Sequence, residues 1–166
     1  MRAAGPVARV VGRRRGGPGT GRPRCCDHGR VRVWVVATVK PLALAKRRLR
    51  TPELPVPYDR LVLAMAQDTV RAALTCPEVA GVVMVTDDPR VRHAAAELGA
   101  WVAGDAPDAG LNAALDHGAA VVGGHRWRAA LAADLPALRP AELVAALRAA
   151  AADPHRRAFV ADWAGT

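Results

Sequence analysis

From Val31 to Val39 the chain reads Val-Arg-Val-Trp-Val-Val-Ala-Thr-Val, β-branched and almost continuously apolar. A strand with one face in water alternates apolar and polar residues, whereas a strand covered on both faces need not. The run therefore belongs inside a parallel sheet, and Gly81-Val82-Val83-Met84-Val85 is a second run of the same kind. Parallel neighbours need a long crossover connection, usually helical. Asp59 to Leu74 supplies it, with Leu61, Met65, Val70 and Leu74 at helical spacing and Pro77 closing the segment.

The pattern then repeats. Thr86-Asp87-Asp88-Pro89 begins a helix that runs through Leu98, and Gly99 suits the left-handed cap that ends it. Ala100 to Ala103 is a short third strand, Asp105 to Gly110 a loop, and Leu111 to Val121 a helix. Arg128 to Ala133 reads as a fourth strand, Pro140 to Ala151 as an Ala-rich helix, and Ala158 to Ala161 as a fifth strand. This alternation predicts an α/β fold, a mostly parallel sheet with helices on both faces, over residues 31–166. A chain that ends five residues after a buried strand leaves a sheet edge uncovered, so we expect this domain to be incomplete.

Residues 1–30 differ in texture. They are rich in Gly, Pro and Arg without an apolar period, and we expect them to be a disordered tail. Eight arginines against the single acid Asp27 give this segment +7 of the formal +9, leaving the remainder of the chain nearly neutral at +2. The basic balance thus describes an arm, which is either a solvated tail or a binder of a polyanion such as nucleic acid. Gly16-Gly17-Pro18-Gly19-Thr20-Gly21 follows no strand, opens no helix and precedes no Lys, so it lacks the context of a phosphate loop. Cys25, Cys26 and Cys76 make neither a CxxC pair nor an even framework, which points to a reduced, cytoplasmic setting. No apolar run approaches the roughly 20 residues of a membrane helix, and neither export nor membrane insertion is indicated.

In open parallel sheets, ligands bind beyond the carboxyl ends of the strands. The polar residues there are Lys40, then Asp87 and Asp88, then Asp105 and Asp108, then Asp134, then Asp162. Basic groups on the first loop and carboxylates on the others suit a nucleoside triphosphate with Mg2+, because cations neutralise phosphate oxygens while one or two carboxylates hold the metal. Asp88 directly before Pro89 reads first as a helix N-cap. Asp134 either caps the following turn or binds a metal. Lys46 and Arg48 could be an ordinary solvated face, and Asn112 a capping residue.

Several stretches, taken together, carry a resemblance. They are Val39-Lys40-Pro41-Leu42 with Ala45-Lys46-Arg47-Arg48-Leu49, Val85-Thr86-Asp87-Asp88, Asp105 through Gly110-Leu111-Asn112-Ala113-Ala114-Leu115, Ala133-Asp134-Leu135-Pro136-Ala137-Leu138, and Phe159-Val160-Ala161-Asp162. In this order and spacing the chain resembles the 2-phospho-L-lactate/phosphoenolpyruvate guanylyltransferases of F-420 coenzyme biosynthesis. The resemblance implies a nucleotidyltransferase fold similar to the molybdenum-cofactor guanylyltransferases. It also implies transfer of GMP from GTP to a phosphorylated three-carbon acid, with release of pyrophosphate. On the same basis Lys40, Lys46 and Arg48 would face the triphosphate, Asp87, Gly110, Leu111 and Asn112 would line the nucleoside pocket, and Asp134 would hold Mg2+. The implied partners are GTP and the phospho-acid, with a homodimer left open and no membrane.

The chain departs from the family pattern at Thr38, where proline is common, at Arg47, where serine or threonine is common, and at His125-Arg126-Trp127-Arg128. The family also continues beyond Gly165-Thr166 with a second Gly-Thr pair, a loop resembling an acceptor-phosphate clamp, and a later Asp that shares the metal. Two alternatives stand beside the enzyme: a GTP-binding remnant without turnover, and a nucleic-acid binder acting through the arm.

Overall fold

The computed structural model describes residues 26–27, 30–45, 54–105, 109–124, 127–152 and 158–160. A small antiparallel hairpin, β1 (Cys26–Asp27) with β2 (Arg30–Val31), comes first. Then follow β3 (Val33–Thr38), α1 (Tyr58–Thr75), β4 (Val79–Val85), α2 (Pro89–Glu97) and β5 (Trp101–Ala103), and after them α3 (Leu111–Val121), β6 (Arg128–Ala132) and α4 (Pro140–Ala151). Strands β3 to β6 form one wholly parallel sheet in the order β5-β4-β3-β6.

The alternation of side chains along a strand explains the layers. Val33, Val35 and Ala37 of β3 join Val82 and Met84 of β4 on one face, where Val62, Ala66 and Val70 of α1, Val91 of α2 and Leu143 and Leu147 of α4 cover them. Trp34 and Val36 join Val83 and Val85 on the other face, beneath Ala114 and Val122 of the α3 segment. Helices thus lie on both faces, and β3 is buried from Val33 to Ala37, the reason its sequence runs apolar without alternation. In β6, by contrast, Ala129 and Leu131 pack into the first core while Arg128, Ala130 and Ala132 are exposed.

Gly118 sets how close α3 lies to the sheet. A Cβ there would stand 2.5 Å from Val36 Cγ1 and 2.7 Å from Val85 Cγ2, distances that atoms do not tolerate. Across the sheet, at the opposite end from the strand carboxyl termini, buried Glu78 accepts a hydrogen bond from Arg148 Nε at 2.8 Å and pairs with its Nη2 at 2.7 Å, and so ties α4 to the start of β4. The Gly99 cap is present: its φ is +89°, and the Gly99 and Ala100 N–H groups donate to Ala96 and Ala95 at 2.9 and 3.0 Å.

Of the tail expected over residues 1–30, the described residues are 26, 27 and 30, which take part in the β1–β2 pairing; the rest lies outside the described residues. One expectation needs correction. The fifth strand expected over Ala158–Ala161 does not form over its described residues 158–160, where Phe159 and Val160 are 82% and 83% exposed. An extended segment becomes a strand only by pairing, and no described strand pairs with it.

Candidate nucleotide cleft

The chain leaves β3 to build β4 and β5 on one side, then returns to lay β6 on the other side of β3. Connections diverge at such a switch point and leave a crevice outside the strand carboxyl ends. A cleft of about 510 Å³ opens there. Thr38 to Lys40 at the end of β3 and Ala132 to Asp134 at the end of β6 line it, with Val62 and Met65 of α1 and with Asp105, Gly110 and Leu111.

The loop carrying Lys40 is clamped on both sides of it. Val39 is buried and its N–H donates to Val85 O at 3.0 Å, while Leu42 is fully buried and its N–H donates to Asp88 Oδ2 at 2.9 Å. Lys40 itself is exposed and lines the cleft from a fixed backbone. The other oxygen of Asp88 accepts from the N–H groups of Arg90 and Val91 at 2.9 and 3.4 Å, the N-cap expected before Pro89. Lys46 and Arg48 lie outside the described residues, as do Asp108 and Asp162.

Asp134 is half-buried between two anchors. Ala133 is buried, and the Leu135 N–H donates to Thr69 Oγ1 at 3.0 Å. Thr69, wholly buried on α1, donates its own hydroxyl to Met65 O at 2.8 Å. The hydroxyl thereby orients the loop that carries the carboxylate. Sequence reasoning missed Thr69, because a lone threonine in an apolar helix has the same pattern whether or not it bonds a distant loop.

Gly110, the N-cap of α3, has φ +95° and ψ −177°, a conformation essentially confined to glycine, and it brings Leu111 to the cleft wall with 61% of its surface exposed. Asp87 and Asn112 are exposed and do not line the cleft wall. Asp87 acts at one remove, since its Oδ1 accepts the Asp105 N–H at 3.0 Å and fixes the start of the β5–α3 loop. The fold thus assembles Lys40, Gly110, Leu111 and Asp134 around one cavity and sets Asp87 behind it.

Among the described residues no three His, Cys, Asp or Glu side chains converge as a metal cage. The Asp134 carboxylate, beside the Lys40 loop at the ends of the paired strands β3 and β6, still fits Mg2+, which takes one or two protein carboxylates and completes its shell with water and phosphate oxygens. Other ionic groups lie apart: His93 pairs with Glu97 at 3.3 Å on the exposed face of α2. Asp59 pairs with Arg90, whose hydrogen bond holds the Asp59 carboxyl below its ordinary range. Among the described residues no helix is long and apolar enough to cross a membrane.

Residues 32–166 match the model of the MobA-like NTP transferase domain. The phosphoenolpyruvate guanylyltransferase of Salinispora arenicola is 53% identical over 135 residues, covering 81% of this chain and 63% of that protein. The proteins of the same name from Geodermatophilus obscurus and Streptomyces coelicolor are each 55% identical, over 142 and 134 residues. Those matches cover 82% and 79% of this chain and 65% and 62% of the relatives. The chain therefore spans less than two thirds of the length of these curated relatives. Among solved structures, CMP:2-keto-3-deoxy-manno-octonic acid synthetase complexed with CTP superposes with a TM-score of 0.56 at 22% identity, covering 75% of this chain and 49% of that one. At that identity the likeness is one of fold. The resemblance drawn from the sequence motifs is borne out by the named relatives.

Proposed function

Since the chain belongs to the MobA-like NTP transferase domain family, we propose that it serves transfer of GMP from GTP to a phosphorylated three-carbon acid, with phosphoenolpyruvate or 2-phospho-L-lactate as acceptor. The observation that carries this reading is the cleft at the switch point, lined by both Lys40 and Asp134 where β3 and β6 end side by side. Relatives named phosphoenolpyruvate guanylyltransferase at 53–55% identity support the choice of nucleotide and acceptor.

In the reaction, an oxygen of the acceptor phosphate attacks the α-phosphorus of GTP. The bond from that phosphorus to the bridging oxygen of the β-phosphate breaks, and pyrophosphate leaves. No proton need be removed from an ionised phosphate, so the chain's task is to position two anions and neutralise their charge. Lys40, fixed by the Val39 and Leu42 clamps, would set an ammonium against the triphosphate, and on the sequence resemblance alone we assign Lys46 and Arg48 to the same role. Asp134 would hold Mg2+, which when bound neutralises phosphate oxygens and aligns them. Gly110 and Leu111 shape the wall against the nucleoside. We assign Asp87 and Asn112 to the nucleoside side, Asp87 through the loop it fixes. The product, a guanylylated phospho-acid, would enter F-420 coenzyme synthesis in the cytoplasm.

The test is pyrophosphate release by the 166-residue chain with GTP, Mg2+ and each of 2-phospho-L-lactate, phosphoenolpyruvate and 3-phosphoglycerate, beside Asp134→Asn. Acceptor-dependent release that the substitution abolishes would establish the reaction and show that the family's continuation beyond Thr166 is dispensable. Release that ignores the acceptor or survives Asp134→Asn contradicts the assignment. Release from neither protein contradicts the claim that these residues suffice for turnover.

A further inference from the structure

Thr69 is wholly buried, on the face of α1 that also buries Val62, Ala66, Val70 and Ala73. Valine has nearly the same shape and no polar atom to satisfy, so packing alone would favour it there. Both capacities of the hydroxyl are used: it donates to Met65 O at 2.8 Å and accepts the Leu135 N–H at 3.0 Å from the loop after β6. Because the proton goes to Met65 O, the oxygen turns its lone pairs to that loop and serves it as an acceptor only. A bond to the carbonyl one turn back is an ordinary habit of threonine in helices. The bond to a loop 66 residues away is not.

The peptide unit determines what that second bond fixes. The Asp134 carbonyl and the Leu135 N–H share one plane, so holding the Leu135 N–H also sets the direction in which the chain leaves Asp134. On the other side Ala133 is buried in the core that α1 covers. Asp134 is therefore gripped through both neighbours while it lines the cleft. Mg2+ demands near-ideal octahedral geometry with bonds of about 2.0–2.1 Å, whereas Ca2+ accepts longer bonds and irregular shells. A small displacement of the carboxylate assigned to the ion would thus be felt strongly by Mg2+ and weakly by Ca2+.

We propose that Thr69 is a positioning residue for the metal site: through the Leu135 amide its hydroxyl holds Asp134 where Mg2+ requires it, and so sets the affinity for the Mg2+-bound nucleoside triphosphate. The inference rests on the nucleotide reading of the cleft and adds to it a wholly buried group on α1.

The experiment is GTP binding by the 166-residue chain at increasing Mg2+ or Ca2+, for the unmodified protein, Thr69→Val, Thr69→Ser and Asp134→Asn, with circular dichroism recording the fold. Thr69→Val removes the acceptor and should raise the Mg2+ concentration that half-saturates GTP binding about tenfold or more, the usual effect of losing a group that orients a metal ligand. The Ca2+ requirement should move less. Thr69→Ser keeps the hydroxyl and should stay near the parent, while Asp134→Asn should shift the Mg2+ requirement at least as far as Thr69→Val. A folded Thr69→Val protein with the parent's Mg2+ requirement overturns the proposal. So do equal shifts in Thr69→Val and Thr69→Ser, which would assign the effect to packing, and equal shifts with the two ions, which would assign it to a general loosening of the cleft.

A measurement on the unmodified protein stands even where Thr69→Val does not fold. If the Thr69 bond favours the ion, the ion and GTP must favour the bond by the same factor, so the Leu135 N–H should exchange with solvent about tenfold more slowly once both are saturating. Unchanged exchange overturns the proposal. Absence of GTP binding by the unmodified protein at every Mg2+ concentration, or GTP binding indifferent to Asp134→Asn, overturns the nucleotide reading on which the proposal rests, and this separates the two failures.

Discussion

The backbone N–H of Leu42 donates to Asp88 Oδ2 at 2.9 Å across 46 residues of sequence. One carboxylate thus caps α2 with Oδ1 and anchors the loop of Lys40 with Oδ2. The cap is a stability device, and the anchor connects it to the charge that faces the cleft.

Asp88→Ala should therefore do two things. It removes the N-cap and leaves the N–H of wholly buried Leu42 without its acceptor, a combined loss of about 2–4 kcal/mol. GTP affinity should fall as well, because Lys40 loses its fixed backbone. Chemical denaturation and GTP titration of the same protein check both. A stability loss with unchanged affinity would show that the Lys40 loop is held without Asp88.

Gly118→Ala tests the packing of α3. The added methyl meets Val36 and Val85 at 2.5 and 2.7 Å, so the helix must shift outward or the valines must leave their rotamers. Overpacking of this kind costs about 1–3 kcal/mol. Thermal unfolding should record a lower midpoint, and an unchanged midpoint would mean α3 rests less closely on the sheet.

Gly110→Ala places a side chain at φ +95°, ψ −177°, where a non-glycine residue costs about 1–3 kcal/mol. The Cβ meets nothing within 4 Å, so the penalty is one of backbone conformation alone. We expect a destabilised α3 start and weaker GTP binding, measured by unfolding and titration. Full retention of both would show that the cleft tolerates another loop conformation.

The Glu78–Arg148 pair predicts a pH dependence. Burial opposes the charged form of Glu78, but the Arg148 hydrogen bond and charge outweigh it and hold the carboxyl below its ordinary range. A folded-state value below the unfolded one stabilises the protein above the unfolded value, about 4.3, and the effect fades as pH falls through the folded value. Arg148→Ala should accordingly lower the melting temperature most near neutral pH, with the difference from the parent shrinking as both are acidified. A difference that stays constant with pH would mean Arg148 acts through packing alone.

Much of this fold is legible in the residues, and the exceptions have physical reasons. β3 could be read because a strand buried on both faces must be apolar throughout, and α2 because Asp88-Pro89 and Gly99 mark its ends with groups suited to those positions. Phe159-Val160 was misread because a short apolar run looks the same whether or not a neighbouring strand pairs with it. Along the cleft wall, Lys40 and Asp134 are legible as polar residues at the ends of strands, whereas Gly110 is singled out only by the family resemblance. Which aspartate faces the cavity is not legible: Asp87 and Asp105 occupy equivalent places in sequence, and only the Asp105 N–H donated to Asp87 puts one behind the other. Thr69 acts through a contact 66 residues away, which no local pattern encodes.

The central claim is that the cleft beyond β3 and β6 is the GTP site. The most direct test is the affinity of the chain for GTP with Mg2+, measured for the parent and for Lys40→Ala, with circular dichroism confirming that both fold. The account predicts saturable binding that weakens about tenfold or more when the exposed Lys40 ammonium is removed, as expected for a charge-assisted contact to phosphate. Absence of GTP binding, or equal affinity in the two proteins, would contradict it.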